Sequence, residues 1–530
     1  MKIGLFVDRM EVARWQAAAL EGLGEDVALV VYNCRNTRPG RRRLANALYY
    51  LLNLFTIRNP MTRPVPLDHS RFAHVECHDF DSHHEGAWQR LPEPLLEQIS
   101  RDAPDVLLKF GLSLLRVPDR TVLAPPILSY HHGDPRHFRG RPAGFYEMLR
   151  GAPVLGQIVQ ILSNRLDGGA VVAFAETKVH AHSYRRTLVE AYRHSPLILG
   201  AAIRNALAGK SLDIAPTGRA YRLPANFTVA RFVARALVRT VSRFCYGLFV
   251  HKKWAVATCP ARPGDLIGTE DRDRLGDRSR WQVEPTPPGY VFLADPFFRP
   301  AGDGLLVEAL SARTGGGELL SLSQNGAAKL SRPGCHMSYP AAFQWAGETY
   351  VMPEMCEWSD ACLYRLEGSD LALAGALDFG GPRRIIDPTP FARGAHLYLF
   401  GNDASDGDAA LRLWVADVPA GPYSEHPASP ILISPRGGRM AGGLAQAGTR
   451  LFRLGQDGSS DYGDGIIVFE VEELTPDSYR ERAVGELRFR GLRGPHTLNF
   501  GGGRAAFDFY SDRLSPMAGF RRLQARRARR

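Results

Sequence analysis

Lysine is nearly missing from this chain. Only seven of its 66 basic residues are lysine, so the formal charge of +11 over 55 acidic residues is carried by arginine. Aromatic residues are not interleaved with those arginines, which excludes the usual nucleic-acid modules. The seven cysteines (Cys34, Cys77, Cys245, Cys259, Cys335, Cys356 and Cys362) are scattered, and no C-x-x-C pair occurs. That excludes a disulfide framework and a structural zinc site. No G-x-G-x-x-G follows the first apolar run, so a dinucleotide site has no support. Long apolar runs are missing too. The opening MKIGLFVDRMEVARW has about five apolar residues before Asp8, a buried strand and not a signal peptide. The stretch Leu44 to Ile57 falls short of the ~20 residues of a membrane span. A reduced, cytoplasmic location is the expectation.

What is present is an ordinary globular composition, 45% hydrophobic and 23% charged over 530 residues. Disorder is excluded as the main state, and the length asks for two to four domains. Up to about residue 210, short apolar runs alternate with helical patterns: strands at 2–7, 27–32, 105–110 and 127–130, helices at 12–23 and 91–100. Such alternation indicates βαβ units and a parallel sheet, whose ligands bind at the carboxyl ends of the strands. Residues 226–250 form an apolar helical face, from Phe227 and Phe232 to Phe244 and Leu248. Arg231, Arg235, Arg239 and Arg243 run beside it at every fourth position. This helix either packs between domains or makes peripheral contact with a membrane surface. From Trp254 helical periodicity disappears. A unit recurs every 44 to 56 residues or so: Asp295-Pro-Phe, Tyr339-Pro, Asp387-Pro, Met440-Ala-Gly and His496-Thr-Leu. Five such units predict an all-β five-bladed propeller, with the strand at Trp254 closing the ring.

The organisation expected is therefore 1–210 α/β domain, 211–252 linker with the arginine-striped helix, 253–512 propeller, and 513–530 basic tail. Arg41-Arg42-Arg43 and six arginines among residues 521–530 supply much of the excess charge outside any cleft.

In the first half, Ile127-Leu-Ser-Tyr-His-His-Gly-Asp-Pro-Arg-His-Phe-Arg-Gly-Arg141 is followed by Leu166-Asp-Gly-Gly169. A histidine at a strand end and an aspartate on a Gly-rich turn form a pair able to move protons between an amine and a carbonyl. These motifs resemble the formyltransferase family, which reads Asn-x-His at a strand end, then Arg-Gly, then Leu-Asp-x-Gly. The resemblance covers residues 1 to about 205. It implies a Rossmann-like parallel sheet and a formyl donor, 10-formyltetrahydrofolate. It also implies catalytic roles for His131 and Asp167, and for His132 if the register runs through it. Arg139 and Gly140, on the Arg-Gly motif, are candidate substrate-binding residues of this half. Ser129 takes the place of the family's asparagine (Tyr130 in the other register). A hydroxyl lacks the amide's geometry, and losing one oxyanion donor costs roughly 3–4 kcal/mol in the barrier. The histidines and acids around Cys77-His78-Asp79, Asp81, His83 and His84 read as a polar loop, with no metal expected.

In the second half, Asp295, Tyr339, Asp387, Arg439 and His496 fall at the starts of inner strands, where propellers line a central funnel. The order of Ala294-Asp-Pro-Phe, Ser338-Tyr-Pro, Tyr350-Val-Met-Pro-Glu354, Ile386-Asp-Pro, Arg439-Met-Ala-Gly, Gly455-Gln-Asp457 and His496-Thr-Leu-Asn499 resembles the N-terminal domain of glucosamine inositolphosphorylceramide transferase. Asp295, Tyr339, Glu354, Asp387, Arg439, Asp457 and His496 are the candidate substrate-binding residues. The combined expectation is formyl transfer to an amino sugar or glycan precursor that the propeller holds. Two alternatives stay open: a non-catalytic carbohydrate-binding protein with a degenerate first half, and a propeller glycoside hydrolase using Asp295, Asp387 and Glu354.

Overall fold

The computed structural model describes residues 1–37, 43–266, 275–300, 304–330, 335–355, 357, 359–368, 370–520 and 522. Arg41, Arg42, Cys356 and the terminal arginines other than Arg522 lie outside them. The chain divides into two compact units, Met1–Val241 and Ser242–Arg530. Among the described residues no helix is long and apolar enough to cross a membrane.

The first unit is built on seven strands: β1 (Lys2–Val7), β2 (Ala28–Cys34), β3 (His74–Phe80), β4 (Val106–Lys109), β5 (Ile127–His131), β7 (Val154–Ile161) and β8 (Ala170–Lys178). Between β5 and β7 the short β6 (Phe138–Gly140) leaves the sheet and pairs in parallel with β9 (Arg219–Tyr221). The sheet order is β8-β7-β5-β4-β1-β2-β3. Its five strands β3-β2-β1-β4-β5 are parallel, and β7 and β8 run antiparallel at one edge. The central strands β1, β2 and β4 are near-continuous apolar runs because both faces are covered. Ile3, Leu5, Leu29, Val30 and Leu107 are fully buried, each worth about 1.5–3 kcal/mol of transfer free energy.

Helices α1 (Arg14–Glu21), α2 (Ala47–Thr56) and α3 (Glu93–Asp102) follow β1, β2 and β3, while β4 reaches β5 without one. Arg14, not Val12, starts α1, because Glu11–Ala13 is spent on a short strand pairing with Pro64–Pro66. The segment expected to be a polar loop around Cys77-His78-Asp79 is a correction. It is β3, whose Val31↔Cys77 and Tyr32↔His78 pairing makes it the sheet edge. Downstream come α4 (Phe145–Arg150), α5 (Tyr184–His194), α6 (Leu199–Leu207) and α7 (Asn226–Phe249). Only Val229 and Phe232 of α7 are buried.

The second unit is all-β. Four antiparallel sheets of four or five strands follow one another in the chain, opening with Tyr290–Phe298, Ser338–Trp345, Ile385–Arg393 and Arg436–Met440. A fifth joins the unit's first long strand to its last: Val250–Pro260 pairs along its length with Arg504–Leu514, and Leu498–Gly501 lies on the far side. Opening strands of consecutive sheets pack on one another, and Leu498–Gly501 packs on Tyr290–Phe298. Leu498 also donates its N–H to Ala441 O at 2.9 Å.

Candidate functional sites

In the first unit the strand order reverses between β1 and β4. That switch point is where open α/β sheets bind ligands beyond the carboxyl ends of their strands. Asp8 follows β1 there, Lys109 ends β4, and His131 ends β5. Alternate residues of a strand face opposite ways. Ser129 pairs with Lys109, so Lys109, Ser129 and His131 share one face, and Tyr130 and His132 the other.

His131 Nδ1 lies 3.6 Å from Asp167 Oδ1, both side chains mostly buried. Asp167 has the left-handed φ of +45°, which Asp tolerates and which suits the Gly-rich turn after it. Its Oδ2 accepts the Gly140 N–H at 2.8 Å, so the Arg-Gly motif positions the aspartate. Gly140 is required twice over: its φ is +83° and a Cβ there would meet Tyr221 O at 2.1 Å. Arg139 reaches away, donating to Pro216 O at 2.8 Å. The Ser129 hydroxyl has only a 3.5 Å contact with the neighbouring Tyr130 carbonyl.

The His132 ring packs at 5.3 Å from Trp15 and 4.8 Å from Tyr192, and its Nε2 donates to Ser195 Oγ at 2.9 Å. Ser195 in turn donates to Gln157 Oε1 at 2.8 Å. Burial, with His131 nearby, pushes the His132 imidazole down to about 3. It stays neutral and bonds Ser195, while His131 is the histidine placed beside Asp167.

Sequence reasoning missed Lys109. Desolvation lowers its ammonium pKa, while Asp8 and Asp167 pull the other way. The signal was available: one of seven lysines stands inside the apolar run Val106-Leu-Leu-Lys-Phe110.

In the second unit, three opening strands carry the same irregularity. Asp295, Tyr339 and Asp387 sit at φ of +48°, +46° and +46°, each at a register break and each followed by proline. A left-handed residue before proline is disfavoured on both counts, and such strain persists where the surroundings over-determine it. Asp387 is held by Arg439 (Nε at 2.5 Å, Nη2 at 3.1 Å) and by Gln456 Nε2 at 2.8 Å. Its own N–H donates to Glu354 Oε2 at 3.1 Å. Arg439 Nη2 bonds the same Glu354 oxygen at 3.3 Å and its guanidinium lies 5.5 Å from the Tyr462 ring. Asp295 Oδ1 accepts from Thr497 Oγ1 at 2.6 Å. Its N–H donates to Asp508 Oδ2 at 3.1 Å. His496 Nδ1 stands between Asp508 (3.2 Å) and Asp295 (3.4 Å). Asp508 and Asp295 raise the imidazole to about 10 against desolvation.

Asp295, Asp387 and His496 are buried, and two further candidates serve the framework. Tyr339 is buried, its hydroxyl 2.8 Å from Thr389 Oγ1 and accepting the Gly442 N–H at 2.8 Å. It ties three sheets together. Asp457 accepts from Ser459 Oγ at 2.6 Å and pairs with Arg488, which fixes a loop.

Glu308 was also missed. Its side chain makes no hydrogen bond or ion pair among the described residues, while its backbone pairs with Ala294 and Leu319. Burial and the charges of Asp295, Glu354 and Asp508 push its carboxyl well above the usual range. Burial and Asp387 likewise raise Glu354 to about 8. The signal lies in register: Glu308, Glu354 and Asn402 pair with the residues just before the three left-handed positions. Five carboxyls (Asp295, Glu308, Glu354, Asp387 and Asp508) share two cations, Arg439 and His496, so some retain protons at neutral pH.

Among the described residues, two groups have metal-ligand spacing, Glu76–His78–Asp102 and Asp295–His496–Asp508. In the first, Asp102 already accepts from Tyr32 at 2.8 Å and Gln98 at 2.7 Å.

Against known proteins, a family model described as "Glucosamine inositolphosphorylceramide transferase 1, N-terminal" matches residues 321–498. The match takes in three whole sheets and the residues from Tyr339 to His496. The rice (Oryza sativa subsp. japonica) protein glucosamine inositolphosphorylceramide transferase 1 is 31% identical over 250 residues, 42% of this chain and 33% of that protein. This chain thus matches about a third of that relative's length. Among solved structures, glycinamide ribonucleotide transformylase 1 from Symbiobacterium toebii is 19% identical with a TM-score of 0.25, covering 39% of this chain and 88% of its own. Zg3597, a family 117 glycoside hydrolase from Zobellia galactanivorans, is 14% identical with a TM-score of 0.30, covering 50% and 91%. At those scores neither assigns a fold, which rests here on strand order and pairing.

Proposed function

We propose that the first unit transfers a formyl group from 10-formyltetrahydrofolate to an amino group, with an amino sugar or glycan precursor as acceptor. The observation that carries this is the convergence of His131, Asp167 and Lys109 at the switch point of a parallel sheet. This donor set fits the reacting end of such a cosubstrate: a base, a carboxylate that orients it, and a cationic hydrogen-bond donor. 10-Formyltetrahydrofolate, when bound, supplies the formyl carbon. His131 takes the proton of the attacking amine and returns it to the donor nitrogen as the bond to the formyl carbon breaks and tetrahydrofolate leaves. Asp167, fixed by the Gly140 N–H, orients the imidazole and stabilises its protonated form. Lys109 supplies positive charge where the acyl oxygen gains negative charge, the part Ser129 fills poorly. The lowered pKa of Lys109 reflects the poor solvation that strengthens such electrostatics.

The second unit reads as a five-bladed propeller. Five consecutive sheets, the closure of the last by the first strand, and the cycle of packed opening strands support that reading. Its cluster of Glu308, Glu354, Asp387, Arg439 and His496 would hold the hydroxyls of the glycan. A second reading, glycoside hydrolysis, is favoured by one arrangement: Glu354 Oε2 accepts the N–H of the arginine-paired Asp387 at 3.1 Å, and burial beside that carboxylate raises Glu354 toward the range of a general acid.

The test is incubation of the full chain with 10-formyltetrahydrofolate and a panel of amino sugars, following tetrahydrofolate release and N-formyl product. Product that disappears in His131→Ala is expected. Folate that neither binds nor turns over, with glycan binding intact, leaves the carbohydrate-binding alternative. Release of reducing sugar that is lost in Asp387→Asn moves the chemistry to the second unit.

A further inference from the structure

On the first unit, two helices present apolar faces to solvent. On α7, Phe227 (81% exposed), Leu237 (63%) and Val238 (68%) stand out, with Val233 and Val241 beside them. On α2 and the turn before it, Leu44 (90%), Leu51 (52%), Leu54 (50%) and Phe55 (68%) do the same. At 100° per residue each set occupies one side of its helix. The helix starts are clamped together: Asn46 Nδ2 donates to Pro224 O at 3.0 Å, the Leu48 N–H to Asn226 Oδ1 at 3.0 Å, and Asn226 Nδ2 to Leu44 O at 3.0 Å. The two faces therefore share one end of the unit.

Beside them lies a cavity of about 710 Å³ whose lining includes Arg150, Arg219, Arg222, Arg231 and Arg235 and no carboxylate. Among the described residues none of these five forms an ion pair. Arg235 instead donates to Leu149 O at 2.7 Å. Tyr221 forms a wall, stacked on Tyr146 at 4.1 Å, with Arg150 and Arg219 over its ring. Like charges gathered without counter-charges repel unless an anion joins them, and the planar guanidinium fork fits phosphate bidentately. Arg231 and Arg235 occupy the side of α7 next to its exposed apolar face.

We propose that this face docks on an anionic membrane surface, the apolar sides of α2 and α7 lying in the interfacial layer and the arginine cavity taking a lipid phosphate. Apolar area and cationic charge side by side are what interfacial binding needs, and neither helix is required to span. A second copy of the chain would cover the apolar faces but would bring five arginines against five more, so charge favours the membrane.

The test uses the full chain with vesicles of phosphatidylcholine, with and without phosphatidylserine, by co-sedimentation at low and high salt. Binding that needs the anionic lipid and weakens with salt is expected. Arg219→Gln/Arg222→Gln/Arg231→Gln should lower it on the order of a hundredfold, since each arginine at such a surface is worth roughly fivefold. Leu51→Glu/Leu237→Glu, both exposed, should remove it without changing the melting temperature. Equal binding to neutral vesicles, or binding indifferent to both variants, overturns the proposal. So does a dimer that Leu237→Glu dissociates while vesicles stay unbound. Retention of inorganic pyrophosphate by the arginine cavity, without vesicle binding, assigns the cavity to a soluble phosphate and overturns it as well.

Discussion

Each unit packs a histidine into its interior side chains, and the two titrate in opposite directions. His132 in the first unit is enclosed by Trp15, Tyr130 and Tyr192, with a neutral serine as its partner. Nothing pays for charging it, and its pKa falls to about 3. His496 in the second is more deeply buried, yet two carboxylates flank it and its pKa rises to about 10. Burial alone therefore fixes neither charge state nor role; the partner decides. The same contrast separates the two candidate sites. The first unit gathers few charges at an open strand end, whereas the second compresses five carboxyls against two cations and stores protons among them.

The largest expected effect breaks the symmetry between neighbouring histidines. His131→Ala should lower formyl transfer by roughly 10²–10⁴-fold. His132→Phe keeps the ring packing and should leave the rate within a factor of a few. Steady-state kinetics on both variants checks this, and equal losses would sink the assignment of His131. Next comes Lys109→Met. It should cost on the order of 10²–10³-fold in kcat with a smaller change in KM, as expected for a donor that acts mainly where charge develops. An unchanged kcat would show that the lysine merely fills the strand end.

How much of this was legible in advance differs between the units for a physical reason. Strand β1 could be read to its bounds because an apolar run closed by Asp8 is a local signal. His131, Asp167 and Gly140 could be placed together because an ordered motif encodes their proximity. For Lys109 the local signal, a lysine inside an apolar run, marks the residue but not its place beside Ser129, which comes from the pairing of β4 with β5. Likewise Asp295, Tyr339 and Asp387 stood out by the proline after each, but Glu308 is visible only once antiparallel register sets it opposite Ala294. The polar segment at His78 misled because edge strands carry charged residues that resemble loop composition.

The opposite titrations make the comparison measurable. His132 has a depressed folded pKa, so its contribution to stability is present above pH 6.5 and is lost as the pH falls toward 3. His496 has a raised one, so its contribution is complete below pH 6.5 and is lost as the pH rises through about 10. Unfolding followed by hydrogen exchange or calorimetry should show the first unit weakening on the acid side and the second on the alkaline side. Each kcal/mol should appear as about 2–4 °C in Tm for units of this size. His496→Gln should flatten the alkaline limb alone.

Glu354 sharpens that last limb and has the smallest expected effect. Its carboxyl is raised from 4.5 to about 8, so the folded state holds a proton that the unfolded state releases. The Glu354 contribution to stability therefore falls as the pH climbs from about 4.5 to 8 and changes no further above it. Glu354→Gln keeps an acceptor for the Asp387 N–H and removes the titration. The variant should lose Tm more slowly than the parent over that interval, with both curves still falling through the His496 range. If Glu354 instead serves a hydrolytic reaction as its acid, the same substitution abolishes sugar release while the change in the melting curve stays just as small. Measured together, the two readouts separate a carboxyl that only shares charge with Asp387 from one that gives its proton to a substrate.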